Sequence, residues 1–183
     1  MTAKPILKMG NPLLRELAAP VDDPTTEEIR SLVEVMRLSM AEAGGVGLAA
    51  PQIGILLRVV IFSVPGDRLS QEDGGEGEGI SETVLINPKI EILEEETALG
   101  WEGCLSVPGL RGLVPRFTKI QYSGQDLEGH LVQREAHGFH ARVVQHEVDH
   151  LDGILYPERM TDLRNLVYET EMQAFMETYK VSD

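Results

Sequence analysis

The sequence predicts an α+β fold in which antiparallel β-sheets pack around a central helix, with one helix near the N-terminus and another near the C-terminus. Three observations predict it. The stretches 25–43 and 138–151 place apolar residues at helical spacing. Between them lie short runs of β-branched and aromatic residues punctuated by Gly, Pro and Asp. No repeat or linker divides the 183 residues, so one domain over 1–183 is expected.

Taken in order, Pro5, Pro12 and Pro20 break the first twenty residues, which are expected to wrap over the body without regular structure. Thr25 and Glu28 have capping-box spacing, and Ile29, Leu32, Val33, Met36 and Met40 then form an apolar stripe that Gly44 and Gly45 stop. Residues 58–64 read as a buried strand. An acidic, glycine-rich stretch near 66–82 reads as a flexible surface loop. Strand character resumes over 83–93, interrupted at Asn87-Pro88. Residues 117–122 and 131–135 read as a hairpin joined through Gly124, Asp126 and Gly129. From Gly138 the period is helical, with Phe139, Val143, Val144, Val148 and Leu151 apolar and Gly153 as the stop. A last helix is expected over 161–179.

Composition narrows the functional classes. A hydrophobic share of 42% with 25% charged residues is ordinary for a globular chain. The net charge of -14 excludes a broad phosphate-binding surface, because nucleic-acid affinity depends on counterions displaced by Lys and Arg. No direct nucleic-acid binding is expected. The first residues lack a basic region followed by an apolar run, and no stretch is long and apolar enough for a bilayer, so a cytoplasmic location without membrane association is expected. The single cysteine, Cys104, has no partner for an internal disulfide.

The chemistry centres on Gln145-His146-Glu147-Val148-Asp149-His150. On a helix, residues four apart share a face, so His146 and His150 can hold one metal ion while Glu147 stands close enough to take a proton from an attacking water. The central helix is therefore read as metal-binding. A third ligand has three candidate sources. A metzincin would need His six residues after His150, where this chain has Tyr156. A zinc endopeptidase would use a glutamate of the next helix, Glu169 or Glu171, both set among other acids. Cys104 could serve as a thiolate, leaving a fourth position open for water. A metal-stabilised peptide-binding module without catalysis is the non-enzymatic alternative. The G-x-G-x-x-A run from Gly45 to Ala50 matches a dinucleotide fingerprint in spacing. Its context is wrong, since a helix precedes it and Pro51 follows. Its glycines suit close backbone approach to a peptide.

Three stretches together carry a family resemblance: Gly45-Val46-Gly47-Leu48-Ala49-Ala50-Pro51-Gln52, Glu102-Gly103-Cys104-Leu105-Ser106, and Gln145-His146-Glu147-Val148-Asp149-His150. In order and spacing they are similar to the signature motifs of peptide deformylases. The resemblance implies one divalent metal ion per chain on Cys104, His146 and His150, ferrous iron (Fe2+) in the cell and replaceable by Zn2+, Ni2+ or Co2+. It implies removal of the N-terminal formyl group from formyl-methionyl nascent peptides with release of formate. Glu147 is implied as the base, and the Gln52 side chain with the Leu105 backbone N–H as oxyanion donors. A methionine pocket at Gly45, Gly47, Leu105 and Val143 is implied, with backbone at Val46 and Gly109 pairing with the substrate. Glu102 and Arg116 are read as a structural pair below the site, Arg111 lies near its mouth, and His130, His137 and His140 receive no chemistry. A transient encounter with the ribosome follows from the family's role. Docking by a basic C-terminal helix does not fit, because residues 160–183 carry only Arg164 and Lys180 against five acids.

Overall fold

The computed structural model describes residues 1–69 and 79–178. In chain order these form α1 (Glu27–Ala43), β1 (Gly47–Ala49), β2 (Val59–Val64), β3 (Ile80–Cys104), β4 (Val107–Gln125), β5 (Leu131–His137), α2 (Gly138–Leu151), β6 (Leu166–Tyr168) and α3 (Met172–Thr178), with short 3-10 turns between. The strands form one antiparallel sheet ordered β1-β2-β3-β4-β5, with β6 on a further stretch of β4. This is the α+β architecture expected, built on a single sheet.

The alternation of β2 explains the layering. Successive side chains of a strand point to opposite faces. Val60 and Phe62 join Leu85, Ile120, Tyr122, Val144 and Val148 in the core around α2, whereas Val59 and Ile61 join Val33, Met36 and Leu48 in the core around α1. The strand is apolar at every position but Ser63 because both its faces are covered.

Local chemistry sets the helix ends. The N-cap of α1 is Thr26, one residue later than the sequence spacing suggested, with its hydroxyl accepting from Ile29 N–H at 3.4 Å. Thr25 is held instead by Asp23. Glu27 and Glu28 favour the positive end of the helix dipole, and Gly44 closes the helix at φ 67°. The stop beyond α2 is Gly153 at φ 71°, where a Cβ would meet the Arg15 carbonyl oxygen at 2.6 Å.

Several expectations change. The N-terminal twenty residues include a 3-10 turn at Pro12–Arg15 capped by Asn11. Leu7 N–H donates to the Gln52 carbonyl and Met9 N–H to the Ser106 carbonyl, so this segment ties two site stretches together. The strand expected over 83–93 extends through Ile80–Cys104. The interruption at Asn87-Pro88 is a register shift, with Asn87 at φ 52° and its side chain bonding the Val21 N–H and carbonyl at 2.8 Å each. Most of the acidic loop expected near 66–82 lies outside the described residues, and Gly66–Arg68 within it forms a 3-10 turn. Of the helix expected over 161–179, position 179 lies outside the described residues, and the rest forms a 3-10 turn, the strand β6, a second 3-10 turn and only then α3. The reason is tertiary: Leu166, Val167 and Tyr168 pair with Gly112, Arg111 and Leu110, satisfying an edge of β4 that helical residues would leave bare.

Candidate metal centre

Helix α2 runs through the interior, and polar groups buried there are costly unless they find partners. Gln145 bonds the backbone N–H and carbonyl of Phe117. Asp149 accepts from Arg116 and from Arg159. His140 lies in the core with its ring nitrogen 3.3 Å from the Tyr122 hydroxyl, a packing role. His146 and His150 sit one turn apart with ring centroids at 5.1 Å.

The last residue of β3, Cys104, faces these histidines across the tight connection to β4, where Cys104 pairs with Val107. Cys104 Sγ, His146 and His150 offer ligand atoms all within 4.8 Å of one another, the one such convergence among the described residues. The sulfur lies 3.3 Å from His150 Nε2. Two ligands of one tetrahedral ion at ordinary metal–sulfur and metal–nitrogen lengths would stand about 3.6 Å apart, so the spacing fits a shared cation. The protonation chemistry also fits. Burial pushes the Cys104 thiol up, but His150 and His146 beside it hold it well below the usual thiol range, favouring the thiolate a metal requires. His146 Nδ1 lies 2.8 Å from Glu102 Oε2, which leaves Nε2 free to coordinate.

Glu102 is itself clamped. Arg116 donates to both of its oxygens, at 2.9 and 3.1 Å, and Arg142 Nη1 donates to Oε1 at 2.8 Å. Burial pushes this carboxyl up, but His146 and Arg116 outweigh burial and hold it at about 2. The pair read from sequence as structural is thus a network reaching a candidate ligand. Arg142 was not singled out in sequence. Its signal was present, however: a cation on the His146 face of an apolar helix, one turn earlier.

Glu147 is buried, and its Oε2 has no partner. Burial pushes its carboxyl up to about 7, within reach of a proton at neutral pH. Gly47 makes room for it, since a Cβ there would collide with the Glu147 carboxylate. Gly45 likewise leaves room for Leu105, whose Cδ1 would lie 2.7 Å from an added Cβ. Gln52 Oε1 accepts from Ala49 N–H at 2.8 Å, which turns Nε2 toward Ser106 Oγ at 3.1 Å and Cys104 Sγ at 3.5 Å. Ser106, fully buried, was missed in sequence because a serine after a cysteine carries no distinctive signal.

A cleft of about 800 Å³ unites these groups. It is lined by Gly45, Val46, Gly47, Gln52, Cys104, Leu105, Gly109, Val143, His146 and Glu147, while His150 lies deeper. Val46 gives its carbonyl to Ser63 N–H at 2.8 Å. Glu169 lines the cleft but pairs with Arg111 at 2.7 Å, and neither it nor Glu171 belongs to the ligand cluster. The glutamate-ligated endopeptidase is set aside on that geometry.

Comparison with known proteins decides the family. The sequence profile described as polypeptide deformylase matches residues 3–166. The chain belongs to the peptide deformylase family. Peptide deformylase 1 of Bordetella pertussis is 55% identical over 164 residues, covering 89% of this chain and 90% of the relative. Peptide deformylase 1 of Nitrosomonas europaea is 51% identical over 165 residues, covering 90% and 92%. Among solved structures, a Met-Ala-Ser-bound class I type b peptide deformylase from Acinetobacter baumannii superposes with a TM-score of 0.75 at 40% identity, covering 87% of this chain and 99% of that one. The peptide deformylase of Thermotoga maritima gives 0.75 at 35% identity, covering 88% and 100%. The protein is a metal-dependent hydrolase that removes N-formyl groups from nascent peptides, consistent with a Cys, His, His group that could bind a metal.

Proposed function

We propose that Cys104, His146 and His150 hold the catalytic ion and that Glu147 is the general base and acid for hydrolysis of the formyl amide. The observation that carries this is the convergence of three ligand atoms beside a buried carboxylate with an unpartnered oxygen at the end of one cleft. A divalent ion bound there supplies a Lewis acid that polarises the formyl carbonyl and lowers the pKa of the attacking water. Glu147 takes the proton of that water through Oε2 and returns it to the departing amine, and burial suits it to both steps near neutral pH. Gln52 Nε2 and the Leu105 backbone N–H donate to the oxyanion that develops on the formyl oxygen. Ser106 and Ala49 hold the Gln52 amide in that orientation.

The methionine side chain enters the apolar part of the cleft at Gly45, Gly47, Leu105 and Val143, and the peptide pairs with backbone at Val46 and Gly109 as an added strand. β1 ends the sheet order and is paired with a strand on one side only, which favours this mode. The Met-Ala-Ser bound to the Acinetobacter baumannii enzyme supports a methionyl peptide as the occupant. Ferrous iron is the proposed cellular ion, with zinc, nickel or cobalt able to replace it, because one thiolate and two imidazoles suit several divalent ions. A single catalytic domain over 1–183, a cytoplasmic location and a transient ribosomal encounter complete the reading. No helix among the described residues is long and apolar enough to cross a membrane, which accords with the location.

The test is formate release from formyl-Met-Ala-Ser by protein purified without oxygen, with metal measured on the same sample. Glu147→Gln should retain the ion and lose about 10²–10⁴-fold in kcat, the range of general acid–base catalysis. An unchanged kcat in that variant would refute the assignment of the base.

A further inference from the structure

A second, partly open cavity of about 270 Å³ adjoins the cleft, and the two share Arg68, Trp101, Phe139 and Arg142 as common walls. Arg142 is the buried member of this partition, at 8% exposure. Its Nη1 donates to Glu102 Oε1 at 2.8 Å, to the Val114 carbonyl at 2.7 Å and to the Gly100 carbonyl at 3.3 Å. Its Nη2 donates to the Ala98 carbonyl at 2.7 Å. The planar group lies against Gly100, where an added Cβ would stand 2.6 Å from Cζ and Nη2 and 2.7 Å from Nε. Only glycine leaves room for it there. On the opposite side of the partition, the Arg68 guanidinium covers the Phe139 ring at 3.4 Å from its centroid.

From this placement we propose that Arg142, seated on Gly100, is a specificity-determining residue that closes the inner end of the substrate's first side-chain pocket and denies that side chain the cavity beyond. The inference rests on the cleft being the formyl-methionyl site. Both terminal nitrogens of Arg142 are engaged by protein acceptors, which hold the guanidinium in place at the end of the pocket. Four anchoring acceptors on β3 and β4 keep a flexible side chain in one position, which makes the limit a length cut-off. A methionine-sized side chain stops at the guanidinium. A longer linear one must displace it and leave buried acceptors without a donor.

The experiment compares formyl-methionyl and formyl-2-aminooctanoyl dipeptides on metal-loaded wild type and Arg142→Ala. The second side chain is two heavy atoms longer. Calorimetric Kd values for the two deformylated products give a readout independent of turnover. Each methylene that gains burial contributes about fourfold, so opening the cavity should raise the aminooctanoyl-to-methionyl ratio of kcat/KM, and of affinity, by about fifteenfold. A rise of at least threefold in both ratios supports the proposal, and a smaller change in either overturns it. If Arg142 served only to hold Glu102, both substrates would lose kcat together and the ratios would stay put, which also overturns it. Should Arg142→Ala not be recovered folded, Arg142→Ser, which opens the partition as fully, decides by the same criterion. Absence of formate release from either substrate by wild type would instead refute the functional reading on which the proposal stands.

Discussion

His146 and His150 occupy neighbouring turns of α2, yet His146 Nδ1 meets Glu102 at 2.8 Å while His150 Nδ1 is buried without a partner. The Glu102 carboxylate is in turn held by Arg116 and Arg142, so the first ring is oriented by a charged network spanning β3, β4 and α2. The second ring is oriented by packing and by Cys104 at 3.3 Å from its Nε2. Two chemically identical candidate ligands are thus positioned by different means. The difference teaches that the arginines matter to His146 through Glu102, whereas His150 depends directly on whatever occupies the shared centre.

That contrast can be broken from its common point. Cys104→Ala removes the group both rings face and should produce the largest effect: metal content near zero after dialysis, and no measurable formate release. Retained stoichiometric metal would overthrow the ligand set. Glu102→Gln attacks the His146 side alone. It should weaken metal affinity by about 10–100-fold, the cost of losing an outer partner of a ligand, and lower the melting temperature because Arg116 loses a charged partner in the interior. Competition with a chelator measures the first and thermal unfolding the second, and an affinity within twofold of wild type would show that packing positions both rings. The smallest effect is expected at Tyr156. Its ring stacks on His146 with centroids 6.2 Å apart, but its buried hydroxyl has no partner. Tyr156→Phe keeps the stacking and removes an unsatisfied group, so metal affinity should change by less than about twofold and stability should hold or rise by about 1 kcal/mol. A large loss of metal in this variant would reveal a role for the hydroxyl in holding His146.

Much of the site could be read because it is written in local spacing. His146, Glu147 and His150 need only one helical turn to come together, and Gly45 and Gly47 declare by their lack of side chains that something approaches closely. The long-range members were less legible. Arg142 acquires its place only through Glu102 and the three carbonyls around it, and Ser106 only through Gln52. The misread C-terminal stretch has the same origin. Leu163, Leu166 and Val167 have helical spacing, but a neighbouring strand with bare backbone groups outweighs the weak preference of a short segment.

By itself, the sequence determined the α+β class, the two longer helices, the hairpin of β4 and β5, and the His-Glu-x-x-His pairing with Cys104 that a family resemblance brought together. These follow from periodicity and motif spacing, which act over a few residues or are shared with relatives. Only the tertiary structure decided the single sheet, the strand at 166–168, the unequal surroundings of His146 and His150, and the guanidinium that divides two cavities. Each of those depends on contacts between residues far apart in the chain, where burial removes water and every polar group must find its partner within the protein.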